Sequence, residues 1–209
     1  MTRAVYDPLL QSARALIEAV GADARAFAAP AFEDGLAFVA PEAARLPVLD
    51  RLPACAGTAS PLTRRLVDAI VAGRDSLDWR RTYRAGDGLG DGFLERYGWF
   101  NIVAPDGPFR SEETRVAVGY WSEGLRYLAH AHEPEELYVI LAGEAQFFAE
   151  GRAPRTVRAG DTVRHAPWQA HGMLMTPGPL LAMGVLRGAA LSAKPKILPG
   201  DPLDMERAA

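Results

Sequence analysis

Gly124-Leu-Arg-Tyr-Leu-Ala-His130-Ala-His132-Glu-Pro-Glu-Glu136-Leu-Tyr138-Val-Ile-Leu-Ala-Gly143 is the stretch that decides how this chain is read. His130 and His132 are two apart, and on a strand residues i and i+2 share a face. Glu136 and Tyr138 repeat that spacing on the following strand or on the turn into it. Two antiparallel strands joined near Pro134 therefore aim two imidazoles and a carboxylate at one point.

All four histidines, His130, His132, His165 and His171, fall within the same short region. His171 comes one hairpin later and is placed to deliver a third imidazole from a neighbouring strand. His165 reads either as a group hydrogen-bonded to a ligand or as an ordinary strand-end residue. The expected metal set is His130, His132, Glu136 and His171. Imidazole and carboxylate donors suit one divalent transition metal: zinc, iron, manganese, cobalt or nickel. Fewer than six protein ligands leave open positions for chemistry.

Outward from this stretch, the β grammar continues on both sides. β-prone runs occur at Trp99–Val103, Thr114–Trp121, Leu137–Leu141, Ala145–Phe148, Thr162–His165 and Leu180–Leu186, punctuated by Gly, Pro and Asp. Many short strands at this spacing predict a β-sandwich or barrel. The first part of the chain reads differently. Asp7-Pro8 makes an N-cap and N1 pair, followed by Leu9, Leu10, Ala13, Leu16, Ile17 and Val20 at helical spacing and a stop at Gly21. A second helix is expected to open at Ser60-Pro61 and run to Gly73, and a third short one to lie near Gly92–Tyr97. Residues 29–59 read as loop with short helical pieces. The expected division is 1–75, a helical extension packed on the barrel, and 76–209, the barrel itself.

The 209 residues suffice for one good core, and 49% of them are hydrophobic, so the chain is globular rather than disordered. A net charge of -3 offers no basic footprint for nucleic acid. No stretch reaches the roughly 20 apolar residues of a membrane-spanning helix. Asp7 and Arg14 interrupt any leader-like apolar run, and the single cysteine, Cys55, excludes an internal disulfide framework. A cytoplasmic location is the expectation.

The spacing Gly124-x5-His130-x-His132-x3-Glu136-x6-Gly143 resembles the first motif of the cupins, and Gly160, Pro167 and His171 resemble the second. The second departs from the general pattern: its proline comes one residue late, Gln169 stands near the usual glycine, and Met175 replaces a frequent asparagine. The resemblance implies a mainly β fold, the double-stranded β-helix or jelly-roll barrel of cupins, with an N-terminal α-helical extension. Gly119-Tyr-Trp121, Tyr127, Glu133-Pro-Glu-Glu-Leu-Tyr138, Gly143-Glu-Ala and His165-x-Pro167 are similar to one branch, the cupin-type dimethylsulfoniopropionate (DMSP) lyases and their lyase-like relatives. That likeness covers roughly residues 76–188. It implies a β-elimination giving dimethyl sulfide and acrylate. It implies a metal held at His132, Glu136 and His171, with His130 on or beside it, and tyrosines at Tyr127 and Tyr138 lining the site. A homodimer is a common cupin assembly.

The residue chemistry agrees. The α-proton of a carboxylate is too weakly acidic to lose unaided, so a metal must stabilise the developing charge and a strong base must take the proton. A tyrosine near a cation is such a base. Tyr138 shares a strand face with Glu136 and is the expected catalytic base. Tyr127 is the second choice, because strict alternation sets it on the face opposite His130 unless a bulge intervenes. For the positive sulfonium of a zwitterionic substrate, aromatic faces are the expected partners. Trp168, Trp121 and Tyr127 are the candidates, whereas Tyr120 and Phe147 read as core. Arg126, Arg164 and Arg187 are carboxylate-binding candidates whose default is the surface. No tyrosine follows Tyr138. Gly86-Asp-Gly-Leu-Gly-Asp-Gly92 lacks the flanking strand and helix of a phosphate loop and reads as a loop over the barrel mouth. Two other classes share this ligand set: a cupin dioxygenase or isomerase acting on another small carboxylate, and a non-catalytic ligand-binding cupin. The tyrosine pair argues against the first and the intact metal set against the second.

Overall fold

In the computed structural model, which describes residues 3–199, ten strands form a curled sheet and five α-helices pack mainly before it. The strands are β1 (Tyr97–Ala104), β2 (Phe109–Arg110), β3 (Thr114–Trp121), β4 (Arg126–Ala131), β5 (Glu135–Ala149), β6 (Arg152–Arg158), β7 (Thr162–His165), β8 (His171–Leu174), β9 (Leu180–Arg187) and β10 (Lys196–Ile197). Their order is β10-β4-β8-β5-β9-β3-β1-β2, with β6 and β7 also paired to β5. This is the mainly β cupin architecture expected from the motifs.

β5 joins the two sides of the curled sheet. Its first half, from Glu135 to Gly143, pairs with β9 and β7, and its second half, from Glu144 to Ala149, pairs with β6 and β8. The two strands expected at Leu137–Leu141 and Ala145–Phe148 are therefore one strand that crosses between the two sides. The crossing is at Gly143, where φ is 84° and a Cβ would stand 1.8 Å from the Pro179 carbonyl oxygen. Only glycine fits there.

The helices are α1 (Arg3–Val20), α2 (Ala22–Ala28), α3 (Leu52–Ala56), α4 (Arg64–Gly73) and α5 (Asp91–Leu94). α1 begins before the expected Asp7-Pro8 start, with Pro8 inside it. α4 begins at Arg64, after Ser60-Pro61, and Thr63 rather than Ser60 holds its N-cap position; Ser60 closes the turn that leads into it. Its hydroxyl accepts from the Thr63 N–H while its own N–H donates to the Thr63 hydroxyl. Such reciprocal bonds satisfy amides that the first turn leaves open. The third helix stops at Leu94 rather than reaching Tyr97, which opens β1 instead. Tyr6, Leu9, Leu16 and Ile17 of α1 and Leu66, Val67 and Ile70 of α4 share one apolar core with Val116, Val139, Leu181 and Val185 of the sheet. No helix among the described residues is long and apolar enough to cross a membrane.

Candidate metal centre and its cavity

The metal-ligand candidates arrive from both sides of the barrel. His130 and His171 face each other as register partners on β4 and β8. His132 follows β4, and Glu136 lies on the other side of the barrel, in the first half of β5. The three imidazoles have ligand atoms within 4.8 Å of one another, and all are buried. Glu136 Oε2 stands 3.2 Å from His132 Nε2 and 3.5 Å from His171 Nε2.

The tautomers follow from the outer nitrogens. His130 Nδ1 donates to the Leu128 carbonyl at 2.9 Å, His132 Nδ1 to the Pro134 carbonyl at 2.9 Å, and His171 Nδ1 to the Gln169 carbonyl at 2.8 Å. A neutral imidazole that donates from Nδ1 presents a bare lone pair at Nε2. With the rings neutral, three such lone pairs and a carboxylate converge; His132 alone has a partner at Nε2, the Glu136 carboxylate 3.2 Å away, whose hydrogen bond and charge outweigh burial and raise the His132 pKa. His171 Nε2 lacks any aligned hydrogen-bond partner. A cation resolves this clash, and backbone carbonyls behind the rings are the usual orienting groups of metal-bound histidine. The residues thus fit a single divalent metal.

Burial alone would raise the Glu136 carboxyl, but the His132 and His171 rings outweigh it and hold it well below the usual carboxylate range. Burial, with His171 beside it, keeps His130 well below the ordinary imidazole value.

This centre opens into a cavity of about 380 Å³. Its floor is built from small residues. Ala117 and Gly119 of β3 pair with Gly184 and Ala182 of β9, and all four line the space. Tyr138 sits opposite Gly184 in the next ladder and also lines the cavity. Burial, followed by the charge and hydrogen bond of Glu136, holds the Tyr138 phenol well above its ordinary value.

Tyr127 reaches the same space. The β4–β8 register slips between Tyr127 and His130, and this bulge turns Tyr127 onto the histidine face. Trp121 lines the cavity too, with its ring 6.2 Å from that of Tyr127. Trp168 does not. Its backbone amide donates to the His132 carbonyl, but φ is 59° and the indole turns outward, 49% exposed, under the Lys196 ammonium. Proximity in sequence to His171 thus brings the Trp168 backbone to the site and sends its ring away.

His165 is fully buried, and neither ring nitrogen has a hydrogen-bond partner. It stacks on His171 with centroids 4.0 Å apart, and burial pulls its pKa down to about 3. Tyr120 and Phe147 are core residues. Arg164 and Arg187 are tied to Glu135. Tyr83, behind the cavity wall, and Arg115, on it, escaped the sequence. Tyr83, in the loop before the glycine-rich segment, places its hydroxyl 2.7 Å from that of Tyr127. Arg115 lines the cavity from β3. Arg115 lies on the alternation that includes Trp121, a signal that was available. Tyr83 comes from an irregular loop, where periodicity carries no information.

Known proteins share this arrangement of chain. A curated relative, dimethylsulfoniopropionate lyase DddQ of Ruegeria pomeroyi strain DSS-3, is 38% identical over 121 residues, which is 58% of this chain and 60% of that protein. The match therefore spans less than two thirds of the relative's length. Two crystal structures agree over nearly the whole chain. One, described as that of the DMSP lyases RdDddP and RnDddQII, has a TM-score of 0.87 at 36% identity and covers 95% of this chain and 100% of its own. The other, DMSP lyase DddQ from Ruegeria pomeroyi DSS-3, has a TM-score of 0.86 at 30% identity and covers 96% and 100%. Residues 24–182 match the sequence model of the dimethylsulfoniopropionate lyases, a span that runs from α2 through the three histidines and into β9, and the chain belongs to that family.

Proposed function

We propose that this protein is a metal-dependent lyase that cleaves DMSP to dimethyl sulfide and acrylate. One observation carries the proposal: the Nε2 atoms of His130, His132 and His171 and the Glu136 carboxylate converge beside a cavity that His130, His132, Glu136 and Tyr138 line. A divalent cation held by these four residues would stabilise the negative charge that develops at the substrate carboxylate. Zinc, iron, manganese and nickel all suit this donor set.

Tyr138 acts as the base. The step requires its phenolate: Oη⁻ takes the α-proton to become the phenol, the C–H electron pair becomes the new C=C bond, and the Cβ–S bond breaks, with its pair leaving on dimethyl sulfide. Neutralising Glu136 removes one of the two main causes that keep the phenol protonated. Tyr127 and Trp121 supply aromatic faces for the sulfonium, which has little hydrogen-bonding ability of its own. Tyr83 holds the Tyr127 hydroxyl.

The substrate is a small zwitterion. Residues 1–75 serve as an extension that braces the barrel of residues 76–209, a division supported by the shared core; residues 1–2 and 200–209 of those ranges lie outside the described residues. The buried, unpaired Cys55 supports a reducing, cytoplasmic setting. A homodimer is the proposed assembly, to be read from sedimentation.

Headspace gas chromatography of the metal-loaded protein with millimolar DMSP tests the activity. Metal-dependent release of dimethyl sulfide is the expected result. A protein with bound metal and no release would not be a DMSP lyase.

A further inference from the structure

Arg115 is unusual among the cations that line the cavity. Arg80 is paired with Asp78 and Asp106, Lys194 is paired with Asp87, and Arg81 is exposed. Arg115 is half-buried, and no carboxylate among the described residues reaches it. Its Nε donates to Asn101 Oδ1 at 3.0 Å and its Nη1 to the Leu191 carbonyl at 3.0 Å. The guanidinium lies over the Trp99 ring, 4.4 Å from the centroid. Three anchors thus fix its orientation, while Nη2 is left without a partner among the described residues. Burial outweighs the nearby charges of Asp106 and Glu136 and holds its pKa below the usual guanidinium range. A desolvated charge that no carboxylate pairs directly is stabilised when an anion joins it.

The register says where that anion would sit. Arg115, Leu186 and Glu136 form one row across β3, β9 and β5, and all three line the cavity. Two strand spacings separate Arg115 from Glu136, about 10 Å of backbone, and the long arginine side chain shortens that gap. The neighbouring row is Ala117, Gly184 and Tyr138, so small residues leave the space beside Arg115 open toward Tyr138. Trp121 stands six residues along β3 from Arg115, but its ring folds back over Gly119 toward the middle of the strand. Trp121, Tyr127 and Arg115 therefore border one common space.

We propose that Arg115 is a second anchor for the carboxylate of the small-molecule ligand, Nη2 donating to the oxygen turned away from the metal centre, so that the ligand's other end points toward Tyr127 and Trp121. The identification of that ligand as a zwitterion rests on the function proposed above; the anchoring of a carboxylate does not. The planar fork of Nη2 and Nη1 donors suits a carboxylate better than a point charge would.

Titration calorimetry of the metal-loaded protein with propionate and with propionamide tests this directly, because neither probe requires turnover. Propionate is expected to bind the native chain more tightly than the amide. Arg115→Met is expected to weaken propionate binding by roughly 10- to 100-fold, the factor of a charge-assisted pair, with unchanged metal content and unchanged amide binding. Arg115→Lys is expected to recover part of the loss. Equal propionate affinity in native and Arg115→Met protein, or in Arg115→Gln protein where the methionine variant does not fold, would overturn the anchor, as would a native chain with no preference for the carboxylate. Arginine-dependent propionate binding in a protein that releases no dimethyl sulfide would uphold the anchor and reject DMSP as substrate.

Discussion

The rings of Tyr127 and His130 lie face to face, with centroids 3.9 Å apart and planes 16° from parallel. Regular alternation forbids this, since three residues along a strand reverse the face. The bulge in β4 permits it, and the contact brings a second phenol into the cavity beside Tyr138. The two tyrosines nevertheless differ. Tyr127 spends its hydroxyl on Tyr83, whereas Tyr138 faces Glu136.

That difference predicts unequal mutants. Tyr138→Phe is expected to lower kcat for dimethyl sulfide release by about 10²- to 10⁴-fold, the range of a general base, with metal content near normal by elemental analysis. Tyr127→Phe keeps the ring stacked on His130 and loses only the hydroxyl pair. Its expected effect is a smaller loss. Full turnover in Tyr138→Phe would sink the assignment of the base.

Gly184 is expected to be sensitive although it carries no side chain. A Cβ there would lie 3.1 Å from Glu136 Oε1 and 3.7 Å from the Tyr138 ring. Gly184→Ala should push the carboxylate and weaken metal binding by about 10-fold or more, the scale seen when groups supporting a metal ligand are disturbed. A chelator competition assay measures it. Unchanged metal affinity would mean that Glu136 has room to move or does not bind the metal.

The two tryptophans should separate cleanly. Trp121→Ala removes an aromatic wall of the cavity and should raise KM by roughly 10-fold, on the scale of about 1 kcal/mol or more for a desolvated cation–π contact. Trp168→Ala should leave KM within about 2-fold, because its indole faces solvent and Lys196. Steady-state kinetics on both variants would show the reverse order if the Trp168 ring, rather than Trp121, served the substrate.

Acid should expose the cost of His165. Its folded pKa is about 3, well below the ordinary imidazole value near 6.5, because burial disfavours the charged ring. Between these values the unfolded chain binds a proton that the folded chain refuses. The stability contribution is therefore intact above about pH 6.5 and is lost progressively as pH falls toward 3. His165→Phe should flatten the acid side of the stability curve in urea titrations between pH 7 and pH 4. An unaltered slope would show that His165 titrates normally.

Much of this was legible in the residues. The spacing of His130, His132, Glu136 and Gly143 pointed to the β fold and to the side chains that the structure brings together, because period-two alternation ties sequence spacing to a shared face. His171 followed, since a hairpin returns a strand to its neighbour's side. Thr114–Trp121 and Thr162–His165 form strands with the expected bounds for the same reason. What the sequence left open depended on departures from regularity or on distant partners. A register slip put Tyr127 on the metal face, a positive φ turned Trp168 away, and an irregular loop delivered Tyr83 to the Tyr127 hydroxyl. The role of Arg115 emerged only from what was missing around it, a counter-ion, and no local pattern records which charges a folded chain leaves unpaired. Alternation is a property of neighbours along one strand, whereas bulges, loop paths and charge pairing are decided when strands and loops meet across the barrel.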